Sequence, residues 1–294
     1  MRLLIFGFGY SAGFIARAAR SRGAVVTGTT RDGREDTLRF DDRERVLHEI
    51  AGATHILSSV PPSEARDPVL AAYGEAIAQS GAWLGYLSST GVYGDTGGKP
   101  VSEDSDVNPT SDRGRYRIEA EAAWLALASD HRLPVHVFRL AGIYGPGRSA
   151  LDQVRAGRAK RIDKPGHMFS RIHVDDIAQV LKASMDRLDP GAVYNVCDDE
   201  PAPPQDVTDY ACSLLGVSPP PPVPFEKAEL SEMARSFYAD NKQVSNERIK
   251  KELGVLVPMP DDEGKLTQAL VGAVLLRKGS SPNKVPQLGL DFGD

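Results

Sequence analysis

The sequence predicts a doubly wound parallel α/β sheet with a small C-terminal substrate lobe, on three observations. Short aliphatic or β-branched runs alternate with helical patterns from Leu3 to Val196. A glycine-rich turn, Gly7-Phe8-Gly9, separates the first strand from the first helix. Beyond Glu200, prolines break the alternation. Strands joined through helices of this length imply right-handed crossovers, and hence a parallel sheet covered on both faces.

In chain order, Leu3–Phe6 reads as a strand, Ser11–Arg22 as a helix and Ala24–Thr29 as a second strand. Glu44–Ile50 predicts a helix, His55–Val60 a strand, Pro68–Gln79 a helix and Trp83–Ser88 a strand. Over Arg115–Ala128, Ile118, Ala122 and Leu125 recur at helical spacing with charges between them, the pattern of an amphipathic helix. Val135–Leu140 is the next strand, Val174–Met185 a helix and Ala192–Val196 a further strand. After it, Asp206–Leu215, Asn246–Leu253 and Leu266–Arg277 are short helical patterns. Pro219–Pro224 reads as a semi-rigid bridge, and Gly279–Asp294 as a loosely docked extension. The expected division is a dinucleotide domain over 1–146 and 172–200, a lobe over 147–171 and 201–278, and a tail over 279–294.

The 294 residues are 41% hydrophobic and 26% charged, which fits a globular chain with a sizeable core. Lys plus Arg number 35 against 40 Asp plus Glu, a net charge of −5 with no basic block, which argues against nucleic-acid binding. Two cysteines, Cys197 and Cys212, cannot frame a disulfide scaffold and fit a reducing cytoplasm. The six histidines lack metal-ligand spacing, so no metal site is expected. Met1–Ala16 has the outline of a secretion signal, but Gly7, Gly9 and Gly13 break its apolar run. No run has the length of a membrane helix.

Gly7-Phe8-Gly9-Tyr10-Ser11-Ala12 is G-x-G-x-x-A, in the place of a dinucleotide fingerprint. Gly7 permits the tight turn, and Gly9 leaves room for a pyrophosphate against the backbone. Ala12, or its neighbour Gly13, allows close helix–strand packing, with the phosphates on the helix N-terminus. The second strand ends in Thr29-Thr30-Arg31, not in the acidic residue that NAD binders place there. Thr30 and Arg31 suit a 2′-phosphate, which favours NADP. Asp32 follows as the ribose ligand of an NAD alternative, in which Arg31 is only a surface charge. Ser59, Val60 and Ser88, at neighbouring strand ends, complete the cofactor candidates.

Four further segments carry a resemblance. They are Leu87-Ser88-Ser89-Thr90-Gly91-Val92-Tyr93-Gly94, Arg139-Leu140-Ala141-Gly142-Ile143-Tyr144-Gly145-Pro146-Gly147, Ile172-His173-Val174-Asp175-Asp176-Ile177-Ala178 and Val193-Tyr194-Asn195-Val196. In this order the chain resembles an extended or atypical short-chain dehydrogenase/reductase of the NAD-dependent epimerase/dehydratase superfamily. The resemblance implies a Rossmann domain completed by a substrate lobe. It implies Ser89 as the active-site hydroxyl, with Thr90 beside it.

The family's Tyr-x-x-x-Lys pair does not transfer. Its pattern Tyr-Gly-x-Ser-Lys-x-x-x-Glu lies on this chain with Gly114 and Glu121 matched, which puts Arg113 at the tyrosine and Arg117 at the lysine. Arginine stays protonated, so Arg113 is no acid/base but an anion clamp or oxyanion donor. Arg117 keeps a positive charge for the nicotinamide ribose. Tyr116 offers a phenol, but its own partner position is Ala120. An exposed basic helix start, interleaved with Glu119 and Glu121, is the alternative. Gly142 stands where the family has asparagine.

Tyr93, Tyr144, Arg148 and Thr90 are the substrate candidates, and His173 reads as a structural node. The leading expectation is an NADP-dependent oxidoreductase or epimerase/dehydratase-like enzyme on a small anionic or nucleotide-sugar-like substrate. The alternative is a non-catalytic NADP(H) sensor or partner module. A homodimer is compatible with either; no membrane or nucleic-acid partner is expected.

Overall fold

A computed structural model describes residues 1–257 except 35, 64, 65 and 256. The helix expected over Leu266–Arg277 and the tail over Gly279–Asp294 lie outside the described residues.

The chain opens with β1 (Arg2–Phe6), α1 (Tyr10–Arg20), β2 (Val25–Thr30), β3 (Leu38–Arg39), α2 (Arg43–Gly52) and β4 (His55–Ser58). It continues with α3 (Pro68–Ala78), β5 (Trp83–Ser89), a 3-10 turn over Thr90–Tyr93, β6 (Pro100–Val101) and α4 (Asp112–His131). Then come β7 (Val135–Leu140), β8 (Gly142–Tyr144), α5 (Ala150–Arg155), β9 (Arg161–Asp163), β10 (Arg171–His173) and α6 (Val174–Met185). The rest is β11 (Ala192–Val196), α7 (Pro204–Leu214), β12 (Pro222–Pro224), α8 (Glu232–Phe237), β13 (Gln243–Val244) and α9 (Glu247–Leu253).

Seven strands form one parallel sheet in the order β11-β7-β5-β4-β1-β2-β3, a Rossmann-type α/β architecture. Side chains alternate along β1, as strand geometry requires. Leu3 and Ile5 enter one apolar layer with Ala12, Ile15 and Ala16 of α1 and Ile177 and Leu181 of α6. Leu4 and Phe6 enter the other, with Val46, Ile50, Val69, Tyr73 and Trp124 from α2, α3 and α4. Both faces are thus covered, which explains why these strands read as continuous apolar runs. β1 pairs with β2 on one side and β4 on the other, so the strand order reverses there. In open α/β sheets the crevice beyond the strand ends at this reversal takes ligands.

Smaller pairings lie outside the main sheet: β10 with β8, β12 with β9, and β13 with β6. The reading of Pro219–Pro224 as a bridge is corrected over its second half. Pro222–Pro224 is a short strand paired with Arg161–Asp163. Two-residue and three-residue strands carry no periodicity from which to be seen in advance. Among the described residues, no helix is long and apolar enough to cross a membrane.

Candidate active site

The glycine turn closes β1 as its sequence suggests. Gly7 sits at φ +81, where a side chain is strained, and its ideal Cβ would come within 2.9 Å of Val60 Cγ2. The Ser59 hydroxyl donates to the Gly7 carbonyl, and the Ser59 amide donates to Phe6 O at 2.9 Å. Ser59 and Val60 therefore brace the turn from the end of β4. Phe8 lies across β2, where a Cβ on Gly28 would meet its ring at 2.1 Å. The Phe8 amide donates to Thr29 O at 2.8 Å. An isolated glycine inside a strand signals such close approach, so Gly28 was legible although it was not singled out.

Gly9 caps α1 with no side-chain hydrogen bond, and the first turn of that helix holds no acidic residue. A Cβ at Gly9 would meet nothing within 4 Å. Open space over uncapped amide groups at a helix N-terminus fits a dinucleotide pyrophosphate. Ala12 is the residue packed against the sheet, resolving the choice between it and Gly13, whose Cβ position is open. Ser11 lies half-buried in the same first turn. The Tyr10 hydroxyl donates to Pro146 O at 3.1 Å, and the Arg148 guanidinium lies 5.4 Å from its ring centroid. Burial raises the Tyr10 phenol above its ordinary range. The cofactor turn and the loop carrying Arg148 thus meet directly.

At the end of β2 one assignment is corrected. Thr30 is not a free hydroxyl for a phosphate: it bonds Thr37 Oγ1 at 2.8 Å and accepts from the Gly33 amide at 2.9 Å. These bonds close the loop that follows the strand. Arg31 is exposed and forms no ion pair among the described residues. Arg39 stands opposite Thr30 in the sheet register and is bidentate to Asp41.

Ser89 and Thr90 lie at the end of β5. Ser89 accepts from the Gly91 amide at 3.2 Å, which leaves its own proton free to donate. Thr90 is largely buried beside it. The start of α4 packs onto this turn, since a Cβ on Gly114 would approach Gly91 O at 3.0 Å. Arg117 donates from Nη1 to Leu87 O at 2.6 Å and lies 3.5 Å from the Tyr86 hydroxyl. Its charge is held two residues before Ser89. Arg113 is exposed without an ion pair among the described residues, and Tyr116 is half-buried without a hydrogen bond among them.

Three further assignments are corrected. Ser88 is buried and donates to Glu121 Oε1 at 2.5 Å. Glu121 holds the Arg139 guanidinium at 2.8 Å, Arg139 donates to the Tyr93 hydroxyl at 3.0 Å, and Tyr93 donates to Asn195 Oδ1 at 2.7 Å. Ser88 and Tyr93 therefore belong to a buried network tying β5, α4, β7 and β11 together, with their hydroxyls spent inside it. Tyr144 is buried edge-on against His173 at 5.2 Å, and burial drives its phenol far up. His173 caps α6 by accepting from the Asp175 amide at 3.2 Å, the structural node expected of it.

Gly142 is explained by a residue that sequence reasoning missed. A Cβ there would strike Phe169 Cε1 at 2.5 Å. The phenyl ring occupies the side-chain space above Gly142. Among the described residues, no group of His, Cys, Asp and Glu is arranged to hold a metal ion.

Residues 71–197 match the model of the NAD dependent epimerase/dehydratase family. Protein YeeZ of Escherichia coli (strain K12) is 31% identical over 182 residues, 60% of this chain and 58% of that protein. The chain thus spans under two thirds of that curated relative. The structure of a functionally unknown conserved protein from Silicibacter pomeroyi DSS is 48% identical with a TM-score of 0.79, covering 92% of this chain and 96% of that one. A dTDP-glucose 4,6-dehydratase from Bacillus anthracis, solved in complex with NAD, shares the fold at 17% identity and a TM-score of 0.68. That alignment covers 87% of this chain and 91% of the dehydratase.

Proposed function

Because residues 71–197 match the NAD dependent epimerase/dehydratase family model, we propose an NADP-dependent oxidoreductase or epimerase/dehydratase-type enzyme acting on a small anionic or nucleotide-sugar-like substrate. The observation that carries this reading is the open backbone at Gly9, set over an uncapped helix start at the reversal of the strand order. Gly7, Gly9 and the first turn of α1 would hold the pyrophosphate, with Ser11 donating from its hydroxyl. Arg31, exposed and without an ion pair among the described residues, would read a 2′-phosphate, while Asp32 beside it is the residue an NAD binder would use. A bound nicotinamide supplies hydride exchange at its ring carbon.

This chain's own residues would orient and polarise. Ser89 donates its free proton to a substrate oxygen. Arg117, anchored on Leu87 O, supplies a fixed positive charge beside that turn. Arg113 and Arg148 offer guanidinium groups to an anionic substrate, Arg148 from the loop that packs on Tyr10. The lobe, expected over 147–171 and 201–278, would complete this edge.

A second reading has its own observation. The positions of the family's tyrosine and lysine hold Arg113 and Arg117, and Arg117 is committed to a backbone carbonyl. A chain without the family's tyrosine–lysine pair fits a dinucleotide-binding sensor or partner module. A crystal structure with NADP bound tests both: the enzyme reading expects Ser89 within hydrogen-bond reach of the substrate side of the nicotinamide. A protein backbone filling that space would favour the sensor.

A further inference from the structure

Five aromatic rings form a continuous chain outside the main sheet. Phe237 meets Phe169 edge-on at 6.2 Å, Phe169 lies 6.4 Å from His167, His167 stacks on Tyr238 at 5.3 Å, and Tyr238 lies 5.3 Å from Phe225. Within it Phe169 fills the space over Gly142 of β8. Phe237, next to Phe169 in this chain of rings, is 54% exposed. The cluster also touches the Ser89 turn, because Lys242 donates to Gly94 O at 3.0 Å.

His167 stands out within it. Its ring is buried, and neither nitrogen has a hydrogen-bond partner among the described residues. Such a group costs about 1–3 kcal/mol when left unsatisfied. Burial, then Lys164 and Lys242 nearby, push its pKa down to about 4, so the imidazole is neutral and has one N–H to donate. Around it the charge is mainly positive: Lys164, Lys242 and Arg171 against Asp95. Asp240 answers part of the Lys242 charge at 3.2 Å. Two cationic amines and a neutral imidazole that lacks an acceptor are the chemistry of an acid group's site.

Three arginines of the lobe are engaged elsewhere. Arg161 is paired with Asp209, Arg171 donates to Phe169 O and Ala202 O, and Arg235 donates to Ala228 O. Lysines remain, each with spare donors beyond its backbone bond.

Resting on the cofactor reading above, we propose that the substrate pole takes a small aromatic carboxylate. Its ring lies against Phe169, Phe237 and Tyr238, and its acid group meets Lys164, Lys242 and His167. The test uses the full chain saturated with NADPH, titrated with benzoate, phenylacetate, cyclohexanecarboxylate and UDP, read by calorimetry and saturation-transfer NMR. Benzoate or phenylacetate binds saturably, and cyclohexanecarboxylate binds about threefold to tenfold more weakly. Phe237→Ala, an exposed substitution, weakens the aromatic acid by a similar factor. Lys164→Met weakens it by about tenfold or more, with NADPH affinity unchanged in both variants.

Equal binding of the saturated ring overturns the aromatic assignment. Binding of UDP without either aromatic acid overturns the substrate class, as does aromatic-acid binding indifferent to both variants. Failure of NADPH itself to bind is seen separately; it refutes the cofactor reading and removes the basis of this inference with it.

Discussion

Arg117 donates to the carbonyl of Leu87 at 2.6 Å, so the helix position where the family carries its lysine is tied to the strand that carries Ser89. The bond joins α4 to the last residues of β5, and Tyr86 stacks on Trp124 beneath it at 5.8 Å. Arg117→Met removes a charged donor from that carbonyl and is expected to cost about 1.5 kcal/mol in urea unfolding. Arg117→Lys keeps a cation in reach and should cost less. Equal losses in the two variants would show that the bond itself contributes little.

The network of Ser88, Glu121, Arg139, Tyr93 and Asn195 makes a sharper stability prediction. Glu121 and Arg139 are both buried, with side chains 5% and 9% exposed. Glu121→Ala strands the guanidinium inside the protein, which typically costs about 3–5 kcal/mol. Ser88→Ala removes one neutral donor and should cost about 1 kcal/mol. A Glu121→Ala protein that melts within a degree or so of the unmutated chain would refute the network's structural role.

Asp198, at the end of β11, sets a pH dependence. Burial lifts its carboxyl to about 7, with Arg171 opposing and Asp176 and Asp199 adding to the rise. A raised carboxyl binds more protons in the folded state than in the unfolded one, between the ordinary value near 3.9 and the folded value. Stability from this group is therefore fully present below about pH 4 and is lost as pH rises towards about 7. Asp198→Asn should flatten that slope and raise the melting temperature at pH 8 relative to the unmutated chain. An unchanged slope in the variant would place the titration elsewhere, with Asp176, held at about 6, as the nearest candidate.

Cofactor choice is tested at β2. If Arg31 reads a 2′-phosphate, NADP(H) binds more tightly than NAD(H), by roughly tenfold to a hundredfold for a charge-assisted contact. Arg31→Ala should erase most of that gap. Thr30→Val should disturb the loop more than the discrimination, because its hydroxyl already serves Gly33 and Thr37. Equal affinity for the two cofactors in the unmutated chain would remove NADP from the account.

What could be read in advance follows from how local each signal is. Val135–Leu140, Val174–Met185 and Ala192–Val196 have the predicted bounds, because apolar periodicity and flanking residues suffice for long elements. Gly7, Gly9 and Ala12 were legible for the same reason: a turn's backbone demands are written within a few residues. Ser88 and Tyr93 were misread because their partners, Glu121, Arg139 and Asn195, sit on other elements. Thr30 looked like a phosphate ligand until the returning loop brought Thr37 to it. Gly142 was seen as a lost asparagine, while its physical reason, Phe169, lies in a segment without periodicity.

Dinucleotide binding at the start of α1 is tested most directly by Gly9→Val. A Cβ at Gly9 meets no protein atom, and its φ of −96 is open to any residue, so the variant should fold with an unchanged circular-dichroism spectrum and melting temperature. The branched side chain would instead occupy the space assigned to the pyrophosphate. Calorimetric titration with NADPH should show saturable binding to the unmutated chain and none to the folded variant. NADPH affinity that is the same in both proteins, or absent from the unmutated one, would contradict the central claim.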